Sequence, residues 1–109
     1  MRVIAGSLKG RRLEAPEDGD QRVRPTSDRA REALLSILQR WPQGAFLDLF
    51  SGTGAVAVEA FSRGYGPVTA VEKGEPGWSC IQRNVRGTEV RALRSDALSL
   101  KPDAFRSQA

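Results

Sequence analysis

The sequence has 109 residues, of which 39% are hydrophobic and 28% charged, and this predicts one small soluble domain. A single cysteine and no histidine exclude an intrachain disulfide and histidine-based catalytic triads, and we predict no metal site. No apolar run approaches the roughly 18 residues of a membrane span, and the N-terminus carries no secretory leader pattern. We therefore expect a cytoplasmic protein without membrane contact.

The net charge of +4 is unevenly distributed along the chain. Residues 1–40 contain nine Lys and Arg against six Asp and Glu, and residues 76–109 contain six against three. Residues 41–75, in contrast, contain two basic residues and four acidic ones. Two basic flanks around an acidic centre are a mild indicator of nucleic-acid binding. An ordinary solvated, arginine-rich surface remains the alternative.

The first fourteen residues predict a basic β-hairpin. The segments 3–5 and 11–13 have strand character, and the turn between them has a glycine at each end, Gly6 and Gly10. A basic ribbon of this kind can lie along an RNA backbone, whereas the plainer interpretation is an edge guarded by charge against aggregation. The polar loop 15–21 follows, so we divide the chain into residues 1–23, the hairpin and loop, and residues 24–109. The basic side chains of the hairpin are Arg2, Lys9, Arg11 and Arg12.

An amphipathic helix is predicted next, with Thr26, Ser27 or Asp28 as its N-cap. Arg29 and Arg31 lie in its first turn, where positive charge opposes the helix dipole, so each is expected to have an acidic or phosphate partner. We expect an apolar stripe to pack on the sheet, formed by Ala30, Ala33, Leu34, Ile37, Leu38 and Trp41.

The centre of the chain predicts a strand, a glycine loop and a helix in that order. The strand is Phe46 to Phe50 and contains Asp48, the loop is 51–54, and the helix ends near Gly64. The loop contains no lysine, which disfavours a triphosphate site. Asp48 suits the ammonium end of S-adenosylmethionine better than a pyrophosphate. A purely structural strand-to-helix turn is the alternative.

Two further strands are predicted, at 68–71 and 90–93, and each is followed by an acid, Glu72 or Asp96. Glu72 lies 18 residues after Gly54, close to the spacing of about 20 that places a carboxylate on an adenosine ribose. Asp96 is placed to accept a hydrogen bond from an adenine amino group. A crossover helix at 75–85 connects the strands, and we interpret Cys80 within it as a core residue.

Together these motifs resemble the cofactor site of class I S-adenosylmethionine-dependent methyltransferases. With two N-terminal motifs, 2–13 and 24–32, the sequence resembles the ribosomal RNA small subunit methyltransferase D family, which methylates the exocyclic N2 of a guanine. The resemblance implies a Rossmann-like βαβαβ half-sheet with strand order 3-2-1, preceded by the hairpin and the helix. It implies cofactor contacts from Asp48, Phe50, Ser51, Gly52, Thr53, Gly54, Glu72, Lys73, Asp96 and Ala97. Contacts with ribosomal RNA or the assembled small subunit are expected from Arg2, Lys9, Arg11, Arg12, Arg24, Thr26 and Arg29.

The sequence departs from that family in one respect. It contains no Pro-Pro pair, whereas the family carries Asp/Asn-Pro-Pro-Phe/Tyr after its fourth strand. We therefore assign no catalytic residue, and expect the chain to stop before that strand and to be inactive alone. The first strand would then have an open edge, which predicts self-association. Two other functions stay open, half of a nicotinamide-dependent dehydrogenase and a non-catalytic RNA-binding fragment.

Overall fold

The computed structural model describes residues 1–16 and 27–101. Three helices alternate with three parallel strands, which lie side by side in chain order, so the predicted α/β half-sheet is confirmed. Phe46 pairs with Val68, and Thr69 pairs with Arg91. The elements are α1 (Asp28–Leu38), β1 (Phe46–Asp48), α2 (Ala55–Ser62), β2 (Val68–Glu72), α3 (Gly77–Asn84), β3 (Arg91–Arg94) and a 3-10 turn (Ala97–Ser99).

Helix α2 is the centre of the packing because its small side chains contact both apolar clusters of the protein. Ala57 and Ala60 lie in a cluster with Leu35 and the β2 residues Val68 and Ala70. On the other side, Ala55 and Val58 pack against two residues of the N-terminal segment, Val3 and Leu13. The small residues let the neighbouring backbones approach closely, and this position fixes α2 and the loop that precedes it.

Helix α1 begins as predicted, since the Ser27 hydroxyl accepts a hydrogen bond from the Ala30 amide at 3.1 Å. The prediction that its apolar stripe packs on the sheet is wrong for most of the stripe, although Leu38 packs against the core. Leu35, which lies outside that stripe, is fully buried, while Ile37 is 52% exposed and Trp41 60% exposed. The helix turns Arg31 and Leu35, one turn apart, towards α2, because Arg31 forms a buried ion pair there.

The N-terminal hairpin is present but shorter than predicted. One antiparallel bridge joins Arg2 to Arg12, with the Val3 amide donating to the Arg11 carbonyl at 2.9 Å. The amides of Ile4 and Ala5 donate instead to the carboxylate of Glu59 on α2, at 2.8 and 3.0 Å. The hairpin strands end early because these amides are taken by a side chain.

Cys80 is a core residue, as predicted, with 1% of its surface exposed. Burial raises the pKa of its thiol above the usual value, although the Arg83 guanidinium opposes this shift. Among the described residues, no helix is long and apolar enough to cross a membrane.

Candidate functional site

The loop between β1 and α2 takes its shape from two glycines. Gly52 and Gly54 have φ angles of 57° and 82°, in the left-handed region that glycine adopts without strain. The Gly54 amide donates to the Ser51 carbonyl at 2.9 Å, and the Ser51 amide donates to the Val71 carbonyl of β2 at the same distance. The loop is therefore a tight turn fixed against the end of β2.

Asp48 is the last residue of β1, and its carboxylate is hydrogen-bonded to the loop that follows. Its Oδ1 accepts a hydrogen bond from the Phe50 amide at 3.2 Å, and its Oδ2 accepts one from the Ser51 hydroxyl at 3.3 Å. Burial raises the pKa of this carboxyl, the two hydrogen bonds oppose the shift, and the nearby negative charge of Glu72 adds to it. A partly desolvated carboxylate of this kind favours a positively charged partner.

Glu72 ends β2 and contacts the same loop. Its Oε1 accepts from the Gly52 amide at 3.0 Å, and its Oε2 accepts from the Gly74 amide at 3.4 Å. A Cβ atom on Gly77, the first residue of α3, would lie 2.9 Å from the Gly52 carbonyl oxygen and 3.1 Å from Glu72 Cδ. Gly77 is thus required for α3 to pass this close, a role that the sequence analysis missed.

Asp96 follows β3 at the same edge of the sheet. Its Oδ1 accepts from the Leu98 amide at 3.0 Å and caps the short turn that begins at Ala97, while its Oδ2 lies 3.8 Å from Lys73 Nζ. Because the three strands are parallel, the predicted acids all lie at the carboxyl ends of adjacent strands. The structure brings Asp48 and Glu72 together through the loop, whereas Asp96 is joined to Lys73.

Helix α2 begins directly after the loop, and its N-cap residue Gly54 has no side chain to cap it. The Ala55 amide of the first turn donates instead to Thr53 Oγ1 at 3.3 Å. The amides of the first turn of a helix have no backbone partner within the helix, and they favour negative or lone-pair groups. A polar ligand above the loop would approach this end of α2 as well as the two carboxylates.

Phe50 and its neighbours form an apolar wall beside the loop. Phe50 is 74% exposed. It lines an open groove of about 540 Å³ between α1 and β1. The other lining residues are Leu34, Leu38, Phe46, Leu47, Asp48, Leu49, Ser51 and Val56.

The residues predicted to contact RNA differ in how they are placed. Lys9 and Arg12 are exposed on the hairpin, and Arg29 is exposed at the start of α1. Arg2 is also exposed, with its Nη1 donating to the Gly10 carbonyl at 2.9 Å. Arg11 is half-buried and donates to the backbone carbonyls of Asn84, the last residue of α3, and of Arg86 just after it. Arg24 and Thr26 lie outside the described residues.

A buried charge cluster lies behind the site, on the far side of α2. Glu59 is fully buried, and its Oε1 lies 3.2 Å from Arg31 Nε while its Oε2 accepts from Arg63 Nε at 2.9 Å. The predicted partner of Arg31 is therefore an acid of the fold. The sequence analysis missed Glu59, and the signal was a single charge inside the apolar run 55–61.

A family model described as conserved hypothetical protein 95 matches residues 1–108. The chain belongs to this family. Curated relatives include ribosomal RNA small subunit methyltransferase D of Escherichia coli, which is 33% identical over 103 residues covering 91% of this chain and 51% of the relative. A candidate ribosomal RNA methyltransferase of Bacillus subtilis is 33% identical over 102 residues, covering 89% of this chain and 54% of the relative.

Solved structures agree with this family assignment. A candidate methyltransferase from Escherichia coli has a TM-score of 0.72 and 29% identity, over 91% of this chain and 54% of its own. A candidate methylase from Haemophilus influenzae has a TM-score of 0.63 and 27% identity, over 91% and 53%. The resemblance to the methyltransferase D family and its Rossmann-like fold is confirmed. This member of the conserved hypothetical protein 95 family spans about half the length of the curated relatives it matches.

Proposed function

We propose that this chain carries the S-adenosylmethionine-binding half of an enzyme that methylates the exocyclic N2 of a guanine in small-subunit ribosomal RNA. The observation that carries the proposal is the glycine loop held between two carboxylates, with Ser51 bonded to Asp48 and Gly52 bonded to Glu72. The names of the curated relatives support ribosomal RNA as the substrate class.

The residues at the carboxyl ends of the three strands fit the proposed cofactor. The partly desolvated carboxylate of Asp48 would hold the ammonium group, and Glu72 would accept hydrogen bonds from the ribose hydroxyls. Asp96 would accept from the adenine amino group, and Lys73, Phe50 and Ala97 would border the nucleoside. The N-terminal end of α2 and the glycines of the loop would meet the ligand through the backbone. When bound, S-adenosylmethionine supplies the methyl group.

The RNA would be held by the basic side chains around the hairpin. Lys9 and Arg12 are the exposed candidates on the hairpin, together with Arg2 and, on α1, Arg29. Contacts from Arg24 and Thr26 remain part of the proposal. We assign no catalytic residue, because the family motif that orients the target amine does not occur in these 109 residues. An enzyme of this kind must take the base out of its stack, orient the amine and exclude water.

A nicotinamide-dependent dehydrogenase half is the second candidate, because Gly52, Gly54 and Glu72 fit a dinucleotide turn as well. Asp48 disfavours it, since a carboxylate under the loop repels a pyrophosphate. A non-catalytic RNA-binding fragment is the third candidate, which would bind RNA and neither cofactor.

Calorimetric titration with S-adenosylhomocysteine and with NAD separates these functions. We expect the homocysteine product to bind more tightly than NAD, and Glu72→Gln to weaken its binding by about 1.5–3 kcal/mol, the range for hydrogen bonds to a charged group. Glu89→Gln is the matched control, because Glu89 is an exposed acid on the loop before β3. Tighter binding of NAD would overturn the methyltransferase assignment.

The RNA contact is tested with protein-free small-subunit ribosomal RNA at several salt concentrations. Arg12→Ala is the cleaner variant, since Arg11 is already bonded to the backbone of α3. Loss of one phosphate contact lowers the slope of log K against log salt by about 0.7–0.9. Arg40→Ala, an exposed arginine after α1, is expected to leave the slope unchanged. Equal slopes for Arg12→Ala and the wild type would remove the hairpin from the RNA surface.

A further inference from the structure

Asn84, the last residue of α3, joins two parts of the protein that are distant in sequence. Its side chain is almost completely buried, with 2% exposed. The Nδ2 group donates to the Thr53 carbonyl at 2.8 Å and to the Glu14 carbonyl at 2.9 Å, while Oδ1 accepts from the Glu14 amide at 2.7 Å. One amide therefore binds the end of the N-terminal segment at two points and the glycine loop at a third.

These three contacts also fix which way the amide faces. Reversing it would place an NH₂ group against the Glu14 N–H and an oxygen against two carbonyl oxygens, and each of these pairs is repulsive. An aspartate at this position would keep the bond from the Glu14 amide, but it would lose both donors. The site is therefore specific for a side chain with one acceptor and two donors at this length.

The peptide group between Thr53 and Gly54 is held by hydrogen bonds at both its carbonyl and its amide. The Thr53 carbonyl accepts from Asn84, and the amide of the same peptide, which belongs to Gly54, donates to the Ser51 carbonyl at 2.9 Å. Thr53 itself is buried, and a Cβ on Gly54 would lie 3.2 Å from Ile81 Cγ1 of α3. The plane cannot rotate without breaking one of the two bonds, so α3 sets the direction of the loop.

The neighbouring ion pair does not provide the same link. Arg83 and Glu14 form a salt bridge, but 47% and 53% of their side chains are exposed, and exposed pairs contribute little. It contacts the Glu14 side chain and leaves the loop untouched, whereas Asn84 contacts the Glu14 backbone and Thr53. The two residues are adjacent on α3, so they can be compared directly.

We propose that Asn84 is a positioning residue that holds the Thr53–Gly54 peptide in the orientation needed for cofactor binding, and that couples this orientation to the docking of the N-terminal segment at Glu14. The proposal rests on the proposed function, because the loop is taken as the cofactor loop. The hairpin and the cofactor then communicate through one buried amide, since a shift of Glu14 moves the side chain that holds Thr53.

Asn84→Asp tests the proposal with little change in shape. We expect S-adenosylhomocysteine to bind about tenfold to a hundredfold more weakly, because the two buried carbonyls lose their donor. Hydrogen exchange is expected to accelerate at the loop amides 52–55 and at Glu14, and to stay unchanged in β2 and β3. The matched controls are Arg83→Ala and Gln82→Ala, at the two residues just before Asn84 on α3. Both variants are expected to bind S-adenosylhomocysteine as the wild type does.

A second measurement needs no variant. In the wild type, saturating S-adenosylhomocysteine is expected to slow exchange at the Glu14 amide, which lies on the opposite side of Asn84 from the loop. Equal affinity of wild type and Asn84→Asp, equal acceleration of exchange in all strands, or an unchanged Glu14 amide would each overturn the proposal. If the wild type binds no S-adenosylhomocysteine, the proposed function fails, and the accelerated exchange at 52–55 and Glu14 alone decides whether Asn84 holds the loop.

Discussion

The two sides of this molecule differ in how far their side chains are covered by other described residues. On one side, the N-terminal junction, residues 1–16 meet α2 and α3 through buried polar groups. Each oxygen of Glu59 has a donor or a cation, and the Asn84 side chain both accepts and donates hydrogen bonds. On the other side, the open face exposes apolar side chains of α1, of β1 and of the residues that follow each of them, namely Leu34, Ile37, Trp41, Leu47, Leu49 and Phe50.

The junction is an interface between described elements, whereas no described element covers the open face. At the junction, residues 1–16 form hydrogen bonds with side chains of α2 and α3. On the open face, β1 pairs with β2 along one edge and, within residues 1–16 and 27–101, with no other strand. An apolar strand edge of this kind favours pairing with further chain.

The largest effect is expected from breaking the junction at Glu59. Glu59→Ala leaves Arg31 fully buried with only the carboxylate of Asp28, whose side chain is 60% exposed. Among the described residues, Arg31 Nη1 already has no hydrogen-bond partner. Removing one member of a buried pair costs about 3–5 kcal/mol of the free energy of unfolding. Urea unfolding measures it, with Glu89→Ala as an exposed control. A loss no larger than that of the control would mean that the cluster adds nothing to stability.

A pair of substitutions on α1 compares the two sides within one helix. Leu35→Ala removes a fully buried side chain and is expected to lower the free energy of unfolding by about 2–5 kcal/mol. Ile37→Ala removes a side chain that is 52% exposed, and less than about 1 kcal/mol is expected because little apolar surface returns to water. Similar losses for the two variants would show that the open face is covered in solution.

Self-association is the next expectation, and it concerns the open face alone. Leu47, on β1, is 45% exposed, and Leu47→Lys places a charge on the edge, which opposes pairing between strands. We expect the wild type to sediment faster as its concentration rises and the variant to stay monomeric. Gln82→Lys, at an exposed position of α3 away from the open face, is the matched control. A wild type that is monomeric at all concentrations would contradict the expectation.

The smallest effect is a pH dependence at Asp48, where the open face meets the loop. Burial raises the pKa of this carboxyl above its ordinary value of 3.8. The folded state therefore binds the proton more tightly than the unfolded state, and stability from this group falls as pH rises through the raised pKa. Binding of an ammonium group has the opposite sign, since it favours the ionised form.

Affinity for S-adenosylhomocysteine is accordingly expected to fall as the pH is lowered from neutrality into the range of the raised Asp48 pKa. Titration calorimetry at several pH values measures this fall. Asp48→Asn removes the titrating group, so it is expected to bind weakly at every pH and to be more stable than the wild type at neutral pH. A pH profile that persists in Asp48→Asn would assign the dependence to another group.

Much of the site was predictable because it depends on local sequence. The glycine loop, the acids after each strand and the Ser27 cap are set by residues within a few positions of each other, and the alternation of strands and helices gave the sheet order. The parts of the structure that could not be predicted depend on contacts between residues far apart in the sequence. Glu59 and Asn84 are bonded across 55 and 70 positions to Ile4 and Glu14, and no local pattern indicates such partners.

The error on α1 has the same origin. Its spacing fits a stripe through Leu34 and Ile37 and predicts that this face is buried, because hydrophobic residues usually lie inside. The ion pair of Arg31 with Glu59 turns the helix so that Leu35 is buried instead. A charged residue set the rotation of the helix, and hydropathy alone does not report it.

The long separations at the N-terminal junction have a consequence for synthesis of the chain. Residues 1–16 leave the ribosome before α2 and α3, and their hydrogen-bond partners on these two helices are made 54 to 73 residues later. Until then the segment has its own short hairpin and the bond from Arg31 to the Arg2 carbonyl, and closing such long loops is a slow step in folding. Its polar, exposed surface suits this delay, because Val3 and Leu13 are its only strongly buried apolar residues. A segment that is made early is thus among the last to reach its final position.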